Sequence, residues 1–174
     1  MKVIAMNPGA NFSRGLSLIE VLVALFITVI GIMGAVTLQA TSLKANRAAY
    51  FRTQAGYITA DMASRMRANT PGVAASAYNA ISTATVPADP TCIRTTDGCT
   101  ATELALQDQR EWAQYFSNVQ GVELGIADAD YRPTLPQASG TVIGDGTSFA
   151  ITVNWTESVL ASSTAQSYTL NLTL

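Results

Sequence analysis

Gly15-Leu16-Ser17-Leu18-Ile19-Glu20 opens an apolar run that continues to Leu38, and the rest of the chain is organised by it. From Val21 to Leu38 there are 18 residues without a charge. With Leu16 to Ile19 included the run makes about 35 Å of helix at about 1.5 Å per residue. A hydrocarbon core of about 30 Å is within its reach. Glu20 sits near the start of this run. Insertion scales put the cost of such a charge at roughly 2.5–3.5 kcal/mol at the bilayer centre. A carboxylate placed there points to a role in assembly. A secretory signal peptide fits poorly, because the run is too long and no A-x-A-like site follows it. A plain anchor would need neither Glu20 nor the glycine that separates the leader from the run.

The bulk numbers narrow the remaining classes. The chain has 174 residues, net charge −2, 13% charged residues and no histidine. That length suits one domain plus a tail. Nucleic-acid binding gets no support without a basic surface. Lack of histidine removes the commonest neutral-pH general base and metal ligand. No nucleophile elbow, Walker loop or metal cluster is present. Ser and Thr are abundant but unaccompanied by a base. We therefore expect no enzyme, no catalytic residue, no metal and no cofactor. Asp108 alone makes a poor catalytic case and is expected to bond a nearby loop amide.

Cys92 and Cys99 have six residues between them in a loop-like segment. No second cysteine pair or histidine stands beside them, which argues against a closed zinc site. Two readings stand: a small structural disulfide or two unrelated thiols. The membrane segment favours the disulfide, because it gives the C-terminal part a route to an oxidising compartment. Charge counting leaves orientation open. Lys2 and Arg14 precede the span, but Lys44, Arg47 and Arg52 follow it.

The leader carries Lys2, Arg14 and the breaker pair Pro8-Gly9, with no acid. A short basic leader ending in glycine, then a hydrophobic residue, then glutamate at the fifth position after the glycine resembles a type IV prepilin. Arg14, Gly15, Leu16 and Glu20 supply that pattern, with Leu16 where the family usually has phenylalanine. Within the class, the stretch from Gly15 to Leu25 is similar to minor pilins of the PilV type. So are Gln54-Ala55, the stretch from Asp61 to Asn69, and the cysteines ahead of a helix with Asp108 and Glu111-Trp112. A late strand ending in Asn154-Trp155 completes the likeness.

The resemblance implies an α+β pilin-like fold: a long N-terminal helix with a small antiparallel sheet head. It implies a leader, 1–15, cut by a prepilin peptidase between Gly15 and Leu16, and methylation of the new amino group on Leu16. Glu20 is implied to pair with the methylated amine of a neighbouring subunit. A free α-amino group has a pKa near 7.7–8.0 and can be cationic at neutral pH. Such a pair sets axial register, the best-attested use of a buried ion pair. Implied partners are other minor pilins, the major pilin, the inner-membrane assembly platform and the membrane itself. The implied location is the inner membrane, single-pass with a periplasmic head, and then a cell-surface pilus. A minor pseudopilin of a type II secretion system shares the leader, Glu20 and the helix.

Loss of the leader takes the ten basic side chains to eight against twelve acidic ones, a mature net charge of −4. The helix is predicted from Leu16 to about Ala68: 16–38 as membrane or filament-core half, 39–69 as amphipathic half, then a head, 70–174. Phe51, Ala55, Ile58, Met62 and Met66 recur at helical spacing and predict a buried stripe. Asp61 and Arg65 stand at i,i+4. Gly31 and Gly34 lower propensity in the greasy half; pilin likeness implies a flexible stretch there. Asn69-Thr70-Pro71-Gly72 should stop the helix, and 73–99 reads as a loop. Thr100 to Glu103 reads as a capping box opening a helix to about Asn118, with Leu104, Trp112, Phe116 and Val119 as its buried stripe. Phe149, Ile151, Val153 and Trp155 alternate in a strand from Thr147 to Trp155. Tyr168, Leu170, Leu172 and Leu174 alternate in a second, from Ser167. Glu157 to Gln166 reads as the polar connection of a hairpin. Val122–Ile126 and Thr141–Ile143 are weaker strand candidates.

Overall fold

A computed structural model describes residues 17–119, 133–159 and 162–174. Its elements in chain order are α1 (Leu18–Ala68), α2 (Thr70–Ala74), β1 (Ala80–Ser82), a 3-10 turn (Cys92–Arg94), α3 (Ala101–Ala113), β2 (Ser139–Gly144), β3 (Ser148–Val159) and β4 (Ser162–Thr173). The predicted α+β arrangement is what forms: one long N-terminal helix and, among the described residues, a four-stranded antiparallel sheet in the order β1-β2-β3-β4. The chain divides into two compact units, one up to Ala45 and one from Asn46 to Leu174. Each is described by itself.

In the first unit every described side chain from Leu18 to Ala45 is exposed, most of them apolar. A helix greasy all round needs a greasy surrounding. Its three threonine hydroxyls are satisfied internally. Thr28 donates to the Ala24 carbonyl at 2.7 Å, Thr37 to Met33 at 3.0 Å and Thr41 to Thr37 at 3.0 Å. A hydroxyl bonded within its own helix carries no unmet polar group into hydrocarbon.

In the second unit α1 buries one stripe: Phe51, Ala55, Ile58, Met62 and Met66, joined by Thr59 and Ala63. These side chains share a core with Val142, Phe149, Ile151, Val153 and Trp155 of the sheet and Trp112 of α3. Period 2 in β3 puts its odd residues from Phe149 to Trp155 inward, as alternation requires. Tyr168, Leu170 and Leu172 stand opposite Val153, Ile151 and Phe149 on the same face. Their burial falls along β4, from Leu172 at 7% exposed to Tyr168 at 37%.

Four expectations about the elements fail. Residues 73–99 are not wholly loop. Asn69 ends α1 and caps α2 by accepting from the Gly72 N–H, with Pro71 in the first turn, where its missing donor costs nothing. Ala80–Ser82 then joins the sheet as β1, burying only Ile81. The second correction concerns α3, which starts at its capping box as read but stops at Ala113, not Asn118. Its last turn tightens to i→i−3 bonds, from Gln114 N–H to Glu111 and from Tyr115 N–H to Trp112. Third, Leu104 and Phe116 are only half-buried, while Ala105, Asp108 and Trp112 form the inner line. Fourth, Glu157 to Gln166 is not a polar connection. Both strands run through it, with Glu157 opposite Thr164 and Val159 opposite Ser162. Thr141–Ile143 falls within β2; Val122–Ile126 lies outside the described residues.

The turn from β2 to β3 is closed by Asp145. Its carboxylate accepts from the backbone N–H of Ser148 at 2.8 Å and of Thr147 at 2.9 Å. Those donors, with the Thr147 hydroxyl, hold its pKa down to about 2.

Candidate assembly segment and polar tie of the head

Glu20 lies in the first turn of α1, side chain exposed, its N–H bonded to the Ser17 carbonyl at 3.0 Å. The unpaired N–H groups of a first turn favour a negative charge there. Glu20 and Lys44 are the only charged residues between Ser17 and Ala45. Among the described residues α1 is the one helix long and apolar enough to cross a membrane. Gly15 and Leu16 lie outside the described residues. Gly31 and Gly34 have open space where a Cβ would stand, so no contact among the described residues requires glycine at either.

The head holds a polar cluster that draws on α1, α3 and the segment between them. Arg65 Nε donates to Asp61 at 2.9 Å, and Nη1 meets Glu111 at 2.5 Å and Asp108 at 3.4 Å. The other oxygen of Asp108 accepts from the Tyr78 hydroxyl. Asn69 Nδ2 donates to Tyr78 Oη at 2.9 Å and to the Ala101 carbonyl at 2.8 Å. Gln107 donates to Glu111 at 2.9 Å. Burial, then the bond to Asp108, pushes the Tyr78 pKa upward, so its hydroxyl keeps its proton and stays a donor. Burial alone would lower the Arg65 pKa; bonds to Glu111 and Asp61 outweigh it and the net shift is upward. Burial would raise Glu111; bonds from Gln107 and Arg65 outweigh that and lower it.

Chemically this cluster is a tie. One guanidinium serves three carboxylates on two helices. Breaking a partly buried network by removing one member costs more than its net worth when intact. Among the described residues no group of His, Cys, Asp or Glu could hold a metal ion. Asp108 bonds a tyrosine and an arginine, not the loop amide expected of it. Tyr78 and Asn69 were missed from sequence, since their partners lie 30 and 32 positions away. Asp108 on an otherwise buried line was the only signal for them.

Cys92 and Cys99 are bonded to each other, Cα atoms 4.8 Å apart. Cys92 is buried and Gly98 has φ 70°, a left-handed turn that glycine adopts freely and that returns the chain to Cys99. The closed loop ends next to Thr100, the cap of α3. Alkylation of unreduced protein is expected to label neither thiol. Reduction should lower stability by less than the roughly 3 kcal/mol that chain entropy assigns to a fifteen-residue loop, read as a lower denaturation midpoint. Full labelling of both thiols without reductant would overturn this expectation.

Comparison with known families places matches on both units. Residues 37–110 match the family described as Type IV pilin Tt1218. Residues 11–36 match the prokaryotic N-terminal methylation motif. No curated protein and no solved structure matches the chain. The pilin family is structural, not enzymatic. The methylation motif covers Gly15, Leu16, Glu20 and most of the greasy run; the pilin match covers the stripe from Phe51 to Met66, the disulfide and nearly all of α3. Set end to end, the two matches run from residue 11 to residue 110 and support a membrane-anchored pilin or pseudopilin, processed by a prepilin peptidase and assembling with other pilins.

Proposed function

We propose that this chain is a minor pilin of the PilV type, which helps prime assembly of a type IV pilus and is incorporated near its tip. The observation that carries the reading is Glu20. It is an acid in the first turn of a helix whose side chains are all exposed and greasy to Leu38, within a matched methylation motif. On this reading residues 1–15 are removed between Gly15 and Leu16, and the Leu16 amine is methylated. The greasy half, 16–38, holds the chain in the inner membrane with a periplasmic head, and later enters the filament core. Glu20 then faces the methylated amine of a neighbouring subunit. Other minor pilins, the major pilin and the assembly platform are the partners. The methylation match is shared by pseudopilins, so a minor pseudopilin of a type II secretion system is the second reading. Co-purification of the tagged chain with pilus components supports the first; co-purification with secretion components supports the second.

Processing gives the first test. The peptidase has to approach the bond after Gly15, and a branched side chain there obstructs it. Gly15→Val is expected to leave a precursor that still carries Lys2 and Arg14. Mass spectrometry of membrane fractions reads this directly. A mature N-terminus at Leu16 in the variant would count against the reading.

A further inference from the structure

Among the described residues β4, of twelve residues, is an edge strand, and nothing pairs with its outer edge. Antiparallel partners alternate between pairs that exchange both backbone hydrogen bonds and pairs that exchange none. The Leu174 N–H donates to the Thr147 carbonyl at 2.9 Å, which fixes the phase. Stepping by two along the register, Leu172, Leu170, Tyr168, Gln166 and Thr164 turn their backbone groups toward β3. Ser163, Ala165, Ser167, Thr169, Asn171 and Thr173 therefore turn theirs outward. Among the described residues no other element bonds to them.

Edges of this length are normally blunted by a lysine, a proline, an inward charge or a bulge. None is present here. From Ser158 to Leu174 there is no charged residue and no proline, and the register runs from Ser148–Thr173 to Val159–Ser162 without a bulge. The opposite edge, β1, is three residues long and offers no comparable template.

The two faces beside the edge say what fits it. On the core side Tyr168 is 37% exposed and Leu170 half-buried, so an apolar strip runs out to the rim. On the other side Ser167, Thr169 and Asn171 are small, polar and exposed. A strand laid alongside would need apolar and small polar residues in alternation. It would have to be uncharged, since the edge holds no counter-charge and a desolvated charge would stay unpaired.

We propose that the outer edge of β4 receives an extended, uncharged strand from a different subunit of the pilin assembly, added antiparallel or parallel as a fifth strand. This rests on the pilin reading above. Main-chain bonds would supply the attraction and the alternating side chains the selectivity, as in other strand additions.

Amide-resolved hydrogen exchange tests it, on the full mature chain in detergent and on the complex co-purified with it from membranes. In the free chain the six outward amides should exchange fast and the inward ones slowly. In the complex the outward amides should slow by about tenfold or more. Thr169→Lys puts a charge on the edge strand, while Thr152→Lys puts the same charge on the same face one strand further in. The first should cut incorporation by about tenfold, the second by less than about twofold. Outward amides already slow in the dilute free chain would mean that a segment of this chain covers the edge, and would overturn the proposal. So would slowing that appears only as the free chain is concentrated, which indicates a second copy, or outward amides that stay fast in the complex. A wild-type chain that co-purifies with no pilin subunit would sink the pilin reading itself, and the strand addition with it.

Discussion

Glu20→Ala is expected to yield a chain that is cleaved and held in the membrane at normal abundance, yet enters the minor-pilin complex or pilus poorly. The argument is one of unmatched charge. On the proposed reading the carboxylate faces the methylated amine of a neighbour in a dry layer. Removal of one member of a buried pair typically costs about 3–5 kcal/mol, because the other is left uncompensated. At about 1.4 kcal/mol per tenfold, that corresponds to roughly 10²–4 × 10³ in the incorporation equilibrium. Cleavage acts on the precursor before assembly and should be largely spared. An anchor that merely tolerates Glu20 behaves oppositely: alanine is neutral or eases insertion. The comparison needs processing, membrane level and pilus incorporation in one strain. Normal incorporation at normal abundance would refute the registry role.

Trp112→Ala is expected to cause the largest loss of head stability. The indole is fully buried, its N–H donates to the Ile58 carbonyl at 2.9 Å, and its ring meets Phe116 edge-on at 5.1 Å. Gly140 of β2 lies so close to both rings that a Cβ there would collide with them. The ring thus fills the space between α1, α3 and β2. Truncation of a buried tryptophan costs about 3–5 kcal/mol, and here it also removes one of the two links between α1 and α3. For a chain of this size that lowers the melting temperature by roughly 6–20 °C. Trp112→Phe keeps much of the ring and loses the donor, so it should cost about 1–3 kcal/mol. Near-UV circular dichroism of the mature chain in detergent reads both. A Trp112→Ala chain melting within a few degrees of wild type would show that the ring is not central to the core.

Much of this architecture is legible in the residues, and the illegible parts share a cause. The helical stripe from Phe51 to Met66 and the alternation from Phe149 to Trp155 are long periodic signals, and both elements sit where the period puts them. Thr100 and Glu103 form the reciprocal bonds their spacing promises. Ala80–Ser82 has one buried residue and no period to detect; β2 makes it a strand from 61 positions away. Glu157, Ser158 and Ser163 to Gln166 place no side chain in the core, yet the ladder still pairs Glu157 with Thr164 and Ser158 with Ser163. At the candidate site the pair Asp61–Arg65 was readable as a local spacing. Its extension to Glu111, Asp108 and Tyr78 was not, because tertiary packing brings those groups together.

Two ways of fastening α3 to α1 differ in what they ask of heredity. The indole of Trp112 grips a main-chain carbonyl, which is present whatever side chain stands at position 58. That side chain can drift among apolar shapes and the grip survives. Arg65 holds three carboxylates that each have to be encoded, and lysine in its place would offer a point charge instead of a planar fork. A sequence wandering under mutation can therefore rewrite the apolar stripe of α1 piecemeal, whereas the ionic fastening changes only by coordinated replacement.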